Sequence, residues 1–571
     1  MSDAELTTRL RALARRLPWT PARLQRVLGR LRRGGVAALR DPAADEQRFD
    51  DYAAWARARE RADRQQLRAL RRIAGRDARW PVFHIVCCAA ADAGNAAPTA
   101  DWLAQARASV EAQTYPRWRW LDDDALPISA SAPQWVLLLQ PGERLAADAL
   151  LWLAEAIVAN ADWQWLYTDS DAPRPDDGSV MPLFKPDWSP DLAVQPEYPG
   201  GVLAFCSTHW TGGDAATAPL RWLEQALYAE RGQVGHVARV LCHRQSPVAH
   251  AVDAAVRARA EHVLGANPSL DTAALQVSAA SGRLCAVPMV PPGTLVSIII
   301  PLRDNVAYLR DCIDSIVART TGVDYELIIV DNGSVETETL TYLAGLPARD
   351  DLRARVVRAD VPFNWSLVNN LGAAEAAGSV LLFLNNDTEV IDPDWLARLA
   401  GHALRPEIGV VGGLLLYPDR TVQHAGVVVG MNHWADHVGA GLPPNGFAPD
   451  SPAMPVAITR NVLAVTGACL CVARFLYDQL GGLDERFLIC GSDIAFGLEA
   501  WRAGRFNLLC AEARLVHHES KTRSRDVPAI DFTMSALCYE PWRTQAVDPF
   551  HNRNLALFDA TPRMAVRRGG R

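Results

Sequence analysis

Val380-Leu381-Leu382-Phe383-Leu384-Asn385-Asn386-Asp387 is the stretch on which the fold is decided. Five consecutive apolar residues, one β-branched and one aromatic, predict a strand buried on both faces. The run stops at two amides and a carboxylate, short polar side chains placed at the strand's carboxyl end. In an open α/β sheet, ligands bind in the crevice beyond the carboxyl ends of the strands. There a carboxylate flanked by amides suits a hard divalent cation shared with phosphate oxygens. The same residues also suit an Asx-rich turn before a helix, because Asp392-Pro393-Asp394-Trp395 has the composition of a helix start. The neighbouring segments weigh against the plain turn.

Outward from this strand the pattern is regular. Ser297–Pro301 reads as a strand and Val306–Thr320 as a helix, with Leu309, Cys312, Ile313 and Ile316 at helix spacing. Tyr325–Val330 is a strand ending in Asp331-Asn332-Gly333-Ser334. A helix follows, then a strand at Arg355–Arg358 and a helix through Asn370 to Ala376. This alternation predicts a parallel, doubly wound sheet. Asp304, Asp331 and Asp387 then stand at its strand ends. Such a row suits a nucleoside diphosphate, with one carboxylate for the base or ribose and another for a bridging metal.

A second α/β pattern lies upstream, with strands at Val82–Cys88, Trp118–Leu121, Trp135–Leu139 and Trp165–Asp169. The two patterns repeat one another. Ser109-Val-Glu-Ala-Gln-Thr114 parallels Ser315-Ile-Val-Ala-Arg-Thr320, and Val136–Leu139 parallels Leu381–Leu384. The offset is larger for the second pair, so the first copy is the shorter. Gly142, within Gln140-Pro141-Gly142, then falls where the second copy has Asp387, and a glycine has no side chain to hold a cation. Chemistry is expected in the second copy, with the first as a scaffold or an acceptor-binding partner.

Composition narrows the function classes. A chain of 571 residues exceeds one ordinary core and predicts two or three domains. The expected division is 1–78, helical and arginine-rich; 79–262, the first α/β unit; 263–294, a linker rich in Ala, Ser, Pro and Gly; 295–525, the second unit; and 526–571, a C-terminal extension. With 49% hydrophobic and 22% charged residues the chain reads as soluble and globular. A net charge of −7 gives no overall electrostatic case for nucleic acid. The 11 cysteines lack zinc or redox spacing and fit reduced thiols in a cytoplasmic protein. Met1 to Pro18 has no continuous apolar core, so it is not read as a secretion signal. No apolar run is long enough to span a bilayer. Leu10, Leu13, Leu17, Leu24, Val27, Leu28 and Leu31 recur at helix spacing among arginines. That pattern fits peripheral association with the inner face of a membrane, or equally a solvated face packed on the next domain.

Several ordered motifs carry a family resemblance. These are Ser297-Ile-Ile-Ile-Pro301, Ile329-Val-Asp331-Asn-Gly-Ser334, Pro362-Phe-Asn364-Trp-Ser366 through Asn369-Asn370, and Leu384-Asn-Asn-Asp387. Gln423-His424-Ala425-Gly426, Thr466-Gly467-Ala468-Cys469, Gly481-Gly-Leu-Asp484-Glu485 and His517-His518-Glu519-Ser520 follow in order. From Val296 to Arg523 the chain resembles family 2 glycosyltransferases with the GT-A fold, in the branch of bacterial rhamnosyltransferases. The first unit resembles a degenerate member of tandem glycosyltransferases through Tyr167-Thr-Asp169-Ser-Asp171, Phe184–Asp191 and Asp548–Leu555. The resemblance implies two tandem GT-A domains after an N-terminal helical segment.

It implies roles as well. Pro301, Asp304, Asp331, Asn370, Asn385 and Asn386 would bind a nucleotide-sugar donor. Asp387 and His518 would hold Mg²⁺ or Mn²⁺, with His517 the other histidine available. Asp493 would be the general base toward a glycan or lipid-linked glycan acceptor, in an inverting displacement. The chain departs from the family where Ser492, Ala495 and Glu499 replace an acidic residue, an acidic residue and an arginine. Those departures keep open a non-catalytic carbohydrate-binding or assembly protein. A nucleotidyltransferase is disfavoured, because Pro301-Leu-Arg-Asp-Asn305 has no phosphate-loop glycine. His433 and His437 have zinc-compatible spacing, but Pro443-Pro444-Asn445-Gly446 marks an acceptor loop instead.

Overall fold

The strand Val380–Leu384 is buried at every position and lies at the middle of a ten-stranded sheet. The computed structural model describes residues 46–76, 79–88, 100–121, 134–140, 142–212, 214–246, 252–278, 281–444, 451–518, 527–544 and 548–567. The arginine-rich pattern from Leu10 to Leu31, and also Pro141, Asn445, Gly446, Glu519 and Ser520, lie outside the described residues.

From one edge of the sheet the strands are Ala354–Arg358, Asp324–Asp331, Leu295–Leu302 and Val380–Leu384. Cys469–Ala473, Ile408–Leu416, Phe506–His517 and Thr388–Val390 follow. The first four are parallel, as the alternating pattern requires. Beyond Val380–Leu384 the sheet becomes mixed, since Cys469–Ala473 runs antiparallel to both its neighbours. The expectation of a parallel sheet therefore holds only for the first half. The reversal is made by Cys469–Ala473, which enters the sheet from far along the chain, a long-range pairing that the local alternation does not encode.

Helix Val306–Arg319 buries Leu309, Cys312, Ile313 and Ile316 on one face, as their spacing dictates. Helix Trp365–Glu375 starts at Asn364, whose Oδ1 accepts from the Leu367 N–H at 2.9 Å. It lies close on the sheet at Gly372, where a Cβ would come within 2.5 Å of Ile299 and 2.8 Å of Val330.

Residues 83–244 build a second sheet on the same plan. Its order is Trp118–Leu121, Phe83–Cys87, Trp135–Leu139, Leu203–Cys206, Trp165–Pro173, Val234–Arg244 and Glu143–Leu145. The strand directions also match those of the other sheet, pair for pair. The likeness reaches single atoms. Ser109 Oγ donates to Ala106 O and accepts from the Leu145 N–H; Ser315 Oγ donates to Cys312 O and accepts from the Val390 N–H. Among the described residues, Ala354–Arg358 has no counterpart, which leaves the first copy shorter.

The stretch 263–294, expected as a linker, is structured over its described residues. Helix Ala254–Ala266 runs into it, and Ala274–Val277 pairs antiparallel with Leu284–Val287. Leu284 and Ala286 are buried in the core of the first unit. Strands of four residues give too little periodicity to stand out from such a composition. The C-terminal segment is equally integrated. Met564–Arg567 pairs with Glu46–Phe49, and helix Tyr52–Ile73 lays Trp55 and Ala58 against Phe184, Leu555, Met564 and Val566.

The motifs of the first unit meet at the junction between the sheets. Asn552 Nδ2 donates to both carboxylate oxygens of fully buried Asp169, which also accepts from the Lys185 N–H. Ser189 Oγ donates to Asn461 Oδ1, and Asp191 forms a buried ion pair with Arg405 at 2.5 Å. Among the described residues no helix is long and apolar enough to cross a membrane.

Candidate active site

Thr388–Val390 lies antiparallel to the end of Phe506–His517, with Thr388 opposite His517. That register brings the imidazole beside Asp387, which is 5% exposed. His517 Nε2 is 3.1 Å from Asp387 Oδ1 and 3.2 Å from Asn385 Nδ2. On the other side of the ring, Nδ1 is 2.6 Å from Gln423 Oε1. An amide oxygen only accepts, so the Nδ1 proton belongs to this bond. Nε2 is then left to meet the carboxylate, either as the donor of an imidazolium or as a bare ligand atom. Burial alone would raise the Asp387 pKa, but the His517 imidazole outweighs it and holds the carboxyl below its ordinary value.

His518, expected at the metal, faces elsewhere. Its Nε2 is 2.6 Å from Glu389 Oε1, and only its backbone N–H reaches Asp387, donating to the carbonyl at 3.0 Å. Successive side chains in extended chain point to opposite faces, so one of two adjacent histidines at most can face Asp387. The structure places His517 there.

Asp387 and His517 offer one hard oxygen donor and one imidazole nitrogen, a set that suits Mg²⁺ or Mn²⁺ with diphosphate oxygens completing the shell. Two acceptors facing each other need a proton or a cation between them, and the Gln423 bond is the kind that orients a metal-bound histidine. Among the described residues no group of three or more potential metal-ligating side chains is formed. His433 and His437 form no zinc pair. His437 Nδ1 is 3.1 Å from both His424 Nδ1 and the Gln423 carbonyl, while His433 packs on Phe558.

Asp493 lies in the first turn of helix Ser492–Arg502. Its Oδ2 accepts from the Gly467 N–H at 2.7 Å and its Oδ1 from the Ile494 N–H at 2.9 Å. One residue on, the Ala468 carbonyl accepts from the Asn385 N–H at 3.1 Å. Thr466-Gly467-Ala468 is thus the wall shared by Asp493 and the Asn385–Asp387 turn. Gly467 has to be a glycine, since a Cβ would fall 2.5 Å from the Trp365 ring and 3.4 Å from Asp493. The loop leading to Asp493 is fixed from the C-terminal helix Ala529–Thr544. The fully buried Asp531 carboxylate there accepts the N–H groups of Leu488, Ile489 and Cys490 at 2.7, 2.9 and 3.1 Å.

The other expected donor residues divide among three places. Pro301 lies opposite Val330, one position before the Leu302–Asp331 pair at the strand end, and Asn386 is buried next to Asp387. Asp331 accepts from the Ser334 N–H at 2.8 Å and from Arg358 Nη1 at 2.6 Å. Asp304 Oδ1 accepts from the N–H groups of Val335 and Glu336, so the two carboxylates shape one loop. Asn370 lies apart from both. Its amide bonds Leu483, Glu485 and Tyr477, tying the Gly481–Glu485 loop to its helix. Sequence reasoning missed Arg358, Asp531 and the orienting role of Gln423. Of these only Gln423 carried a signal, through its place in the Gln-His-Ala-Gly motif.

Residues 297–427 match the glycosyl transferase family 2 model. The chain is 34% identical over 563 residues to the O-antigen biosynthesis protein RfbC of Myxococcus xanthus, a match covering 89% of this chain and 42% of that protein. It is 34% identical over 469 residues to the protein y4gI of Sinorhizobium fredii, covering 76% of this chain and 50% of that one. The chain therefore spans half or less of the length of these relatives. Among solved structures it is similar to GalNAc-T7 with UDP, GalNAc and Mn²⁺, at 16% identity and a TM-score of 0.36, over 44% of this chain and 49% of that chain. With its motifs in order along one mixed sheet, residues 297–427 of this chain belong to glycosyl transferase family 2.

Proposed function

We propose that the family 2 domain transfers a sugar from a nucleotide-diphosphate donor to a glycan hydroxyl, with inversion. The observation that supports this most is the shared wall Thr466–Ala468, with Asp493 bonded to Gly467 and the Asn385–Asp387 turn bonded to Ala468. Asp387 and His517 would hold Mg²⁺ or Mn²⁺, which when bound neutralises charge on the departing diphosphate. Asp331, with Arg358 beside it, would bind the nucleoside. Asp493 takes the proton from the acceptor hydroxyl; each of its oxygens accepts one backbone N–H and keeps a lone pair for this purpose. Trp365, packed against Gly467, forms an apolar side to the sugar position. The first unit has Gly142 where the second has Asp387, and in its sheet Arg244 pairs opposite Glu143 as His517 pairs opposite Thr388. It serves as a scaffold. The likeness to an O-antigen biosynthesis protein favours a bacterial surface polysaccharide as the acceptor, and the motif resemblance to rhamnosyltransferases makes a lipid-linked glycan and rhamnose the first acceptor and sugar to try.

The test is donor turnover by the full chain with Mn²⁺ across dTDP-, UDP- and GDP-sugars, with Asp387→Ala as control. One donor should be consumed by the wild type and spared by the variant. Equal turnover by Asp387→Ala would overturn the reading.

A further inference from the structure

Helix Tyr52–Ile73 turns Trp55, Ala58 and Leu70 inward, and its opposite side carries arginines. Arg57, Arg61, Arg64, Arg68 and Arg72 recur at spacings of four, three, four and four residues. At about 100° per residue they fall within roughly 80° of arc, in a row about 22 Å long. All five are exposed. Among the described residues none of the five forms an ion pair, although Arg71 beside the row pairs with Asp148 and Arg59 on the inward side pairs with Asp63. Arg61, Arg64, Gln65, Arg68 and Arg72 line a shallow groove that contains no carboxylate. Glu60 is the exposed acid nearest the row on this helix.

The row sets five guanidinium groups with no ion pair among the described residues on a chain of net charge −7. The chain leading into the helix does not neutralise it, for residues 1–45 contain ten arginines against four acidic residues, with leucines between them. Straight, single-signed and on the outside of a helix, the row matches a planar anionic surface. It lacks the groove with interleaved aromatic side chains that a single-stranded nucleic acid requires. We propose that this face of Tyr52–Ile73 docks the protein on an anionic lipid bilayer. Arginines beside such a leaflet add affinity one by one, within a Debye length of the surface.

The experiment is flotation of the full chain with vesicles of phosphatidylcholine alone or mixed with phosphatidylglycerol. The wild type should float with the mixed vesicles only, and release as salt is raised. Arg61→Gln/Arg64→Gln/Arg68→Gln should lower the partition by about a hundredfold. Arg310→Gln/Arg353→Gln/Arg355→Gln, on the far unit, should leave it unchanged. Matching melting curves establish that the first variant is folded; if they differ, Arg64→Glu alone reads the same face. Full flotation of the variants at Arg61, Arg64 and Arg68, equal capture by neutral vesicles, or displacement of bound protein by a polynucleotide would each overturn the proposal.

Discussion

His517 Nε2 stands 3.1 Å from Asp387 Oδ1 while His517 Nδ1 stands 2.6 Å from Gln423 Oε1, so the ring is fixed from both sides. Three segments far apart in sequence thereby bring together one carboxylate oxygen and one imidazole nitrogen, the two atoms proposed above to hold a cation. Chelation should abolish turnover, and Mn²⁺ should restore it. Asp387→Asn should lower turnover on the order of 10²–10³-fold. Gln423→Ala leaves both ligands in place but frees the ring, and should weaken Mn²⁺ binding by about 10–100-fold. Calorimetric titration of Mn²⁺ into each variant checks this; unchanged binding in Gln423→Ala would remove the orienting role.

Asp493→Asn keeps the shape of the side chain and the Gly467 contact but removes its basicity. Turnover to acceptor should fall by about 10²–10⁴-fold while donor affinity holds. Steady-state rates measured beside donor binding separate the two effects. Full turnover in this variant would assign the base elsewhere.

Asp531 touches neither expected carboxylate, yet it gathers three N–H groups of the loop before Asp493. Asp531→Ala should loosen that loop and lower kcat on the order of 10²-fold, as small misplacements of a catalytic group do, with donor KM little changed. A loss seen in KM alone would show that the loop serves the donor instead.

The junction between the units rests on a buried charge pair. Burial raises the Asp191 pKa, but Arg405 outweighs it and holds the carboxyl below its ordinary value. A depressed acid stabilises the fold above its unfolded pKa of about 3.9 and loses that contribution as pH falls through the folded value. Asp191→Ala should cost about 3–5 kcal/mol near neutrality, because it leaves Arg405 buried beside Glu407 with one partner gone. In acid the difference from wild type should shrink. Urea midpoints across pH measure both.

Asp548 has the opposite sign. Burial lifts its carboxyl to about 7, although the N–H groups of Val429 and Phe550 oppose the shift. Its contribution is fully present below the unfolded value of about 3.9 and drains away as pH rises to about 7, then stays level. Wild type should therefore lose stability relative to Asp548→Asn between those values and no further above them. Melting temperatures of the two proteins, compared across pH, report the crossover.

Much of the fold was legible along the chain. The buried run Val380–Leu384, the helix-spaced Leu309, Cys312, Ile313 and Ile316, and the Ser109/Ser315 repeat are local patterns, set by the period of each element and the burial of its apolar face. The same patterns placed Asp387 beyond a strand end and Gly142 at the matching point of the first copy, where φ is +87°. Tertiary structure alone decided which histidine meets Asp387, because the register of Thr388–Val390 on Phe506–His517 selects His517 and turns His518 to Glu389. It alone joined Asp531 to the loop before Asp493, and Asn552 to Asp169. Those bonds link residues from 41 to 383 positions apart, and long-range pairing leaves no trace in local composition.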